Sequence, residues 1–264
     1  MLRKYRFNRI CKNIKSLKIQ GATNIAKASL KAYSLFPTQR TKRILLSLRP
    51  TEPMLSHVLS LVGEEKKEKI LSHFREAQEK INLEVFSLIK NNSTIFTHCH
   101  STNVIKSLLY SKKKGKNFRV YNTETRPIYQ GRKTSKELSR GGVSVTNFID
   151  SAAAIAIKSS DYIFLGADAI LKDSVINKVG SGMFAEIARA NKVPVYIVAD
   201  SWKYSKKPVK LEQRDFKEVW DPKKNKIHVK NPAFESIPIR NITKIISELG
   251  ILSPREFFKE VKKT

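Results

Sequence analysis

The spacing of apolar residues predicts helices in the first 92 residues of the chain. Over residues 64–90, apolar side chains recur every three or four positions, which is the period of a helix that buries one stripe. A second helical stretch covers residues 19–35, and prolines separate the segments around it. We therefore predict an N-terminal helical domain over residues 1–92.

From Ser93 onward, short apolar strands alternate with helical stretches. The predicted strands are residues 94–97, 118–121, 143–149, 162–165 and 195–198. Strands that alternate with helices and are apolar on both faces are typical of a parallel sheet covered on each side. Residues 93–264 are therefore predicted to form a Rossmann-like α/β domain, which closes with an amphipathic helix over residues 239–250 ended by Gly250.

Composition supports a folded protein and leaves the reason for its charge open. The chain has 264 residues, 41% of them hydrophobic, which is enough to bury a core. Its 51 Lys and Arg against 23 Asp and Glu give a net charge of +28, which would attract RNA or anionic small molecules. Because lysine is spread along nearly the whole chain without basic–aromatic alternation, a general compositional bias is favoured, and nucleic-acid binding stays undecided.

Two absences in the sequence narrow the class of protein. No apolar run approaches the roughly 18 residues that span a bilayer, and the basic N-terminal residues do not resemble a secretory signal, so we expect a cytoplasmic protein without membrane contact. Cys11 and Cys99 are too few for a disulfide framework or a four-cysteine zinc site. Any chemistry at Cys99 would be that of a lone thiol.

Cys99 follows the first predicted strand and is the first candidate for chemistry. In an open parallel sheet, ligands bind outside the carboxyl ends of the strands. A thiol before the helix that starts near Asn103 feels the helix dipole and backbone N–H groups, which favour thiolate, so Cys99 could serve as an acid/base or a nucleophile. The alternative is a buried, inert cysteine. A metal held by His98, Cys99 and His100 is disfavoured because adjacent side chains diverge.

Asp168 follows a later strand and is therefore expected at the same edge as Cys99. A thiol and a carboxyl that share an enclosed site could move protons in opposite directions. The alternative is that Asp168 caps the turn after it. The small residues that open the helix after Lys178 form a plausible phosphate cradle, and Arg126 lies in a polar segment that either binds ligand or forms internal ion pairs.

Taken in order, seven motifs resemble the family that joins translation initiation factor 2B alpha, beta and delta subunits with two sugar-phosphate isomerases. The motifs are Ile19-Gln20-Gly21-Ala22, Thr97-His98-Cys99-His100-Ser101, Glu124-Thr125-Arg126-Pro127 with Gln130-Gly131, Val145-Thr146 with Asp150-Ser151-Ala152-Ala153, Gly166-Ala167-Asp168-Ala169-Ile170, Asn177-Lys178-Val179-Gly180 and Asp200-Ser201-Trp202-Lys203. The resemblance covers most of the chain.

This resemblance implies a fold, an assembly and roles for individual residues. It implies an N-terminal helical domain followed by a Rossmann-like domain, assembled into dimers or hexamers, with neither metal nor redox cofactor. Asp168 would assist opening of a furanose ring and later proton movement at oxygen, while Cys99 would carry a proton between C2 and C1. The implied substrate-binding residues are Gln20, Gly21, Ala22, Ser101, Arg126, Asn177, Lys178, Gly180, Ser181 and Lys203.

Two function hypotheses from different classes follow. The first is an aldose-ketose isomerase that converts ribose 1,5-bisphosphate to ribulose 1,5-bisphosphate, with AMP as a candidate activator; it is favoured because the chain keeps both Cys99 and Asp168. The second is a non-catalytic regulatory subunit, like those of initiation factor 2B, that binds a nucleotide or sugar phosphate. Gln20, where the isomerases have arginine, and the short helical domain favour the second hypothesis. A methylthioribose 1-phosphate isomerase is disfavoured because its longer N-terminal region is absent.

Overall fold

The computed structural model describes residues 1–223 and 226–263, and helices alone form its N-terminal part. They are α1 (Leu2–Lys15), α2 (Ala22–Tyr33), α3 (Gln39–Leu48), α4 (Pro53–Leu61) and α5 (Lys67–Leu88). The two helical stretches predicted from periodicity correspond to α2 and α5. Helix α5 buries the predicted stripe, which includes Ile70, Phe74 and Ile81. The prediction of a helical N-terminal region is confirmed.

Local sequence explains where several of these helices begin. Thr38 caps α3 by accepting a hydrogen bond at its side-chain oxygen from the Thr41 N–H at 3.2 Å. Helix α4 starts with Pro53, whose missing N–H would have no partner in a first turn. Gly21 precedes α2 with a φ of +83°, a conformation that glycine adopts without strain.

Strands and helices alternate in the rest of the described chain. The strands are β1 (Ser93–Thr97), β2 (Phe118–Thr123), β3 (Ser144–Phe148), β4 (Tyr162–Leu165), β5 (Ala169–Ile170), β6 (Ser174–Lys178), β7 (Val195–Val198), β8 (Phe234–Pro238), β9 (Lys244–Ser247) and β10 (Gly250–Leu252). The helices are α6 (Thr102–Lys113), α7 (Gln130–Arg140), α8 (Ala153–Lys158), α9 (Ser181–Ala190) and α10 (Pro254–Glu260). Short 3-10 helices cover Asp150–Ala152, Ser201–Lys203, Phe216–Glu218 and Ile239–Asn241. The predicted α/β fold class is confirmed.

The main sheet has seven strands in the order β10-β9-β7-β4-β1-β2-β3. Its neighbouring strands are parallel except for the β9–β10 pair. The central strand β1 pairs with both β2 and β4, so the carboxyl ends of these strands lie at one edge. Two hydrophobic clusters cover the two faces of the sheet, as predicted. A second, antiparallel sheet has the order β5-β6-β8.

The predicted C-terminal helix over residues 239–250 is wrong. The segment contains the 3-10 helix Ile239–Asn241 and then β9, which pairs with β7, and Gly250 begins β10 with a φ of +112°. The isoleucine spacing suits a helix stripe, yet Ile245 and Ile246 belong to the clusters on opposite faces of the sheet. The segment forms a strand because the free backbone N–H and C=O groups along β7 need hydrogen-bond partners, which β9 supplies.

The predicted boundary between residues 92 and 93 falls in the connection between α5 and β1. Residues Ile81, Val85 and Ile89 pack in the same cluster as Ile95 and Val120 of the sheet. Helix α5 therefore covers one face of the sheet as well as ending the helical part, and the division into two domains stays a prediction. In residues 1–223 and 226–263, no helix is long and apolar enough to cross a bilayer.

Candidate active site

A pocket opens where the helical part meets the carboxyl edge of the main sheet. Its wall brings together nine of the twelve candidate site residues, which lie far apart in the sequence. These are Gln20, Gly21, Ala22, Cys99, Ser101, Asp168, Asn177, Lys178 and Lys203. The expectation that Cys99 and Asp168 face one pocket is therefore met by the geometry.

Three candidate residues lie outside the pocket wall. Arg126 is exposed and places its guanidinium 5.2 Å from the centre of the Tyr129 ring. Ser181 is fully buried, and its hydroxyl accepts a hydrogen bond from the Asn177 side-chain amide at 2.9 Å. Gly180 has a φ of +102° and turns the chain into α9. Ser181 thus supports the pocket residue Asn177 from behind, and direct contact of Gly180 or Ser181 with a ligand stays a prediction.

Two threonines hold Cys99 in a conformation that non-glycine residues adopt infrequently. Its φ is +67°. The Cys99 N–H donates to Thr125 Oγ1 at 3.0 Å, and the Cys99 carbonyl accepts from Thr134 Oγ1 at 2.6 Å. Backbone strain of this kind persists where the surroundings fix it, and it clusters at functional sites.

The Cys99 thiol is protonated at neutral pH, contrary to the expectation from the sequence. Burial raises the pKa of the Cys99 thiol to about 11, although the charge of Lys178 and the His100 N–H lower it. Helix α6 begins only at Thr102, and Ser101 caps it, so the helix N-terminus does not offset the loss of hydration. Only a small fraction of Cys99 is therefore thiolate at neutral pH.

Asp168 lies between β4 and β5 and is fixed through its backbone. Its N–H donates to the Ile176 carbonyl at 2.8 Å. Within the described residues its carboxylate accepts no hydrogen bond, so the alternative of a turn cap has no support there. Burial raises the pKa of Asp168, and the charges of Lys203, Lys178 and Arg49 act against that rise.

Two buried lysines place positive charge in the pocket. Lys178 is 4% exposed, and its Nζ lies 5.0 Å from the centre of the Phe234 ring. Lys203 is 5% exposed, and its Nζ donates to Asn103 Oδ1 at 3.3 Å. Lysines are seldom buried without an anionic partner. Two of them on one pocket wall suit a ligand that carries negative charge, such as a phosphate.

An aromatic stack anchors the segment that carries Lys203. The Trp202 ring stacks on His73 of α5 at 3.5 Å and lies 4.7 Å from His57 of α4. Both helices belong to the helical part, whereas Trp202 follows β7 of the sheet. The helical part thus fixes the position of a pocket lysine.

Sequence reasoning missed three charged residues of the pocket wall. They are Arg49, Glu52 and Arg214. Arg49 and Glu52 lie in the connection between α3 and α4, and Arg214 lies in the long connection between β7 and β8, so none directly follows a strand of the main sheet. Arg49 Nη1 lies 2.9 Å from Glu212 Oε2, which ties the two segments together. Only proximity in the folded chain could have identified these residues.

The histidines beside Cys99 are held apart by separate partners. His98 Nδ1 lies 2.5 Å from Thr123 Oγ1, and its Nε2 lies 3.0 Å from the Val179 carbonyl. His100 Nδ1 lies 3.1 Å from Thr134 Oγ1. The two rings therefore do not converge with Cys99 on a common point.

Another group of residues, away from the pocket wall, has the chemistry of metal ligands. The ligand atoms of His73, Asp200 and Glu248 lie within 4.8 Å of one another. Each already has hydrogen-bond partners: His73 Nε2 lies 3.2 Å from Asp200 Oδ1, the Trp202 N–H donates to Asp200, and the Ser201 N–H donates to Glu248. These bonds account for the cluster as a brace for the Ser201–Lys203 turn.

Comparison with known proteins gives a consistent picture over the whole length. The model of the initiation factor 2 subunit family matches residues 9–254. The chain is 32% identical to ribose 1,5-bisphosphate isomerase of Methanocaldococcus jannaschii, over 92% of this chain and 90% of that protein. It is 31% identical to the protein of that name from Archaeoglobus fulgidus, over 91% and 88% of the two chains. A solved structure of the Pyrococcus horikoshii OT3 translation initiation factor eIF-2B superposes with a TM-score of 0.83 at 24% identity, covering 96% of this chain and 98% of that one, which shows the fold.

Proposed function

The chain belongs to the initiation factor 2 subunit family, and we propose that it is an isomerase that converts ribose 1,5-bisphosphate to ribulose 1,5-bisphosphate. The observation that carries this proposal is one pocket that contains Cys99, Asp168 and the buried cations Lys178 and Lys203. Relatives named for this reaction, at 32% and 31% identity over nearly their whole lengths, support the choice of substrate.

The proposed chemistry moves two protons and returns both groups to their starting state. Asp168 in its acid form gives a proton to the ring oxygen, which opens the furanose, and Cys99 as thiolate removes the proton on C2. The Cys99 thiol then delivers its proton to C1, while the Asp168 carboxylate takes the proton of the C2 hydroxyl as the ketone forms. No net proton is gained or lost, and Lys178 and Lys203 bind phosphate oxygens throughout.

The environment of the two groups suits these roles. Because burial raises the pKa of Asp168, an acid form is available nearer to neutral pH than for an exposed aspartate. The pKa of Cys99, at about 11, makes its thiolate scarce and strongly basic, as removal of a carbon-bound proton requires. Lys178 stabilises that thiolate.

The test is to incubate the purified protein with ribose 1,5-bisphosphate, with and without AMP, and to follow ribulose 1,5-bisphosphate. We expect Cys99→Ser and Asp168→Asn each to lower turnover by about a thousandfold or more, a size typical of lost acid–base and nucleophilic groups. The thermal midpoint should change little, because neither side chain fills the hydrophobic clusters.

Two substitutions away from the pocket serve as matched controls. Cys11→Ser and the exposed Asp173→Asn change the same atoms elsewhere and should leave turnover unchanged. Equal loss of folding in Cys99→Ser and Asp168→Asn would contradict their catalytic roles. A folded wild-type protein without turnover, with or without AMP, would contradict the isomerase itself.

A second candidate function is a non-catalytic regulatory subunit that binds a nucleotide or sugar phosphate. The observation that favours it is Gln20 on the pocket wall, whose amide donates to the Leu17 carbonyl at 2.7 Å and brings no positive charge. A regulatory subunit should bind its initiation-factor partner at near-physiological salt and keep that binding in Cys99→Ser and Asp168→Asn. Binding that vanishes with modest added salt would indicate only nonspecific charge attraction.

A further inference from the structure

Glu52 is a buried acid in the pocket that the proposed chemistry does not use. It precedes the first residue of α4, is 3% exposed, and its side chain makes no capping hydrogen bond. Its Oε2 is buried and has no hydrogen-bond partner within residues 1–223 and 226–263. Burying an unpaired carboxyl costs stability, and the helix start does not require one at this position. A polar atom left free on a pocket wall points to a role toward the pocket.

Charges of both signs face Glu52 from several segments. Arg49 lies in the same connection as Glu52, and Asp168 follows β4. Lys203 lies in the turn after β7, and Glu212 lies between that turn and β8. The other titratable or charged groups of the same pocket wall are His98, Cys99, His100, Lys178 and Arg214. Glu52 and Asp168 are thus two carboxyls in one enclosed space with cations around them.

The two carboxyls do not have equal surroundings. The pKa of Glu52 is raised to about 8, first by burial and then by the charge of Asp168. Burial raises the pKa of Asp168 too. The charges of Lys203 and Arg49 favour the ionised form of both carboxyls, and the charge of Lys178 adds to this effect at Asp168. The pKa of each carboxyl is therefore raised, and the two hold a proton between them at neutral pH.

We propose that Glu52 and Asp168 act as a carboxyl pair that holds one proton in the unliganded pocket, with Glu52 as a positioning residue that acts through Asp168. This inference rests on the proposed isomerase function and extends it. Like-charged carboxyls in a confined site do not readily ionise together, so the pair retains a proton at pH values where a lone aspartate would lose it.

The proton count of the reaction stays balanced with this pair. The shared proton leaves through Asp168 to the ring oxygen when the furanose opens, and the pair is then doubly ionised beside Lys203 and Arg49. The proton of the C2 hydroxyl returns to Asp168 when the ketone forms, which restores one proton to the pair. Cys99 independently takes the C2 proton and delivers it to C1. Glu52 thus extends to higher pH the range in which the pair holds the proton that Asp168 delivers to the ring oxygen.

The first test is the pH profile of kcat/KM for ribose 1,5-bisphosphate. With the Cys99 pKa at about 11 and the pair ionising at about pH 8, kcat/KM of the wild type should rise about tenfold per pH unit up to about pH 8 and then level off. In Glu52→Gln, Asp168 alone holds the proton, so the rise should end at a lower pH. At pH 8 the kcat of the variant should fall about tenfold or more, with a smaller change in KM.

Two further variants separate a proton-holding role from a structural one. Glu52→Asp keeps a carboxyl and should recover the break near pH 8, whereas a purely structural side chain would be better replaced by the nearly isosteric glutamine. The exposed Glu64→Gln is the matched control and should keep the wild-type profile. A break that stays near pH 8 in Glu52→Gln would overturn the proposal.

The second test needs no turnover. At neutral pH the unliganded wild type should show the infrared carbonyl stretch of one protonated carboxyl that Glu52→Gln lacks. This band should disappear from the wild-type spectrum as the pH rises through about 8. If the spectra of the wild type and Glu52→Gln do not differ by such a band, the proposal of a shared proton is overturned even where the enzyme is active. If the band is present but ribose 1,5-bisphosphate is not converted, the proposed function fails while the shared proton stands.

Discussion

Burial, more than any neighbour in the sequence, sets the ionisation of the pocket residues. It raises the pKa of Cys99 to about 11 and of Glu52 to about 8, and it lowers the pKa of His98 and of His100 to about 4. The sequence identified Cys99 as a candidate but suggested a thiolate, because only the adjacent helix start was visible. The depth of the pocket reverses that expectation.

At this scale, the structure predicts that His98 makes the fold sensitive to acid. Its folded-state pKa lies below the ordinary value of 6.5. Between pH 6.5 and about 4, the imidazole is therefore protonated in the unfolded chain but neutral in the folded protein. The stability that neutral His98 contributes is complete above pH 6.5 and is lost as the pH falls through about 4, by up to about 3 kcal/mol.

The measurement is the thermal midpoint between pH 7 and pH 4. His98→Asn removes the titrating ring, so its midpoint should depend less on pH than that of the wild type. At pH 7 the variant should be less stable by about 1 to 3 kcal/mol, because it loses the edge contact with Phe184 at 4.9 Å. The exposed His228→Asn is the control. A variant with the same acid sensitivity as the wild type would contradict the assignment.

Between elements, close approach at the ends of β1 and β4 shapes the pocket. Gly166 follows β4, and a Cβ there would lie 2.5 Å from Ser101 Oγ and 2.6 Å from Ser101 Cβ. Ser101 caps α6, so the end of one strand directly abuts the helix start that follows the neighbouring strand. A side chain at residue 166 would therefore clash with Ser101. This contact lies between Cys99 and Asp168 on the pocket wall.

Gly166→Ala should therefore push Ser101 and the start of α6 away from β4. We expect a loss of about 1 to 3 kcal/mol in the free energy of unfolding, measured by urea denaturation, and a fall in turnover if Cys99 moves with the cap. In the double variant Gly166→Ala with Ser101→Gly, the clashing atoms are gone. The double variant should lose less free energy of unfolding than the two single variants lose together, by about 1 kcal/mol or more. Losses that simply add would refute the clash.

The elements themselves could be predicted well where hydrophobic period and length agreed. Strands β4 and β7 occupy residues 162–165 and 195–198, as predicted, and α5 lies inside the predicted stretch. The segment that becomes β9 resembles a helix in sequence because isoleucines spaced for a helix stripe are equally suited to the two faces of a strand. A neighbouring strand edge, which the sequence does not display, settled the outcome.

Across the whole molecule, the pocket depends on contact between the helical part and the sheet. Arg49 and Glu52 come from the connection between α3 and α4, whereas Cys99, Asp168 and Lys203 follow strands of the sheet. The chain as a whole carries a net charge of +28. A field of this sign draws anionic substrates toward the surface and is screened by salt.

For a doubly phosphorylated substrate, kcat/KM should fall several-fold between about 0.05 and 0.5 M sodium chloride, because the Debye length shrinks from above 10 Å to a few ångströms. The value of kcat at saturating substrate should change much less, since buried Lys178 and Lys203 are screened weakly. Sucrose at equal osmolality is the control. If kcat/KM is insensitive to salt, the lysine excess is a compositional bias without a part in substrate capture.

By itself, the sequence determined the helical part, the α/β part and the polar residues after the strands. It also singled out Cys99 and Asp168 as candidate catalytic residues, because hydrophobic period and strand-end position are local properties. Only the tertiary structure decided that both residues share a pocket with Glu52 and Arg49, since that pairing joins segments far apart along the chain. It also decided the protonation of the pocket, because pKa values depend on burial and on charges that folding brings together.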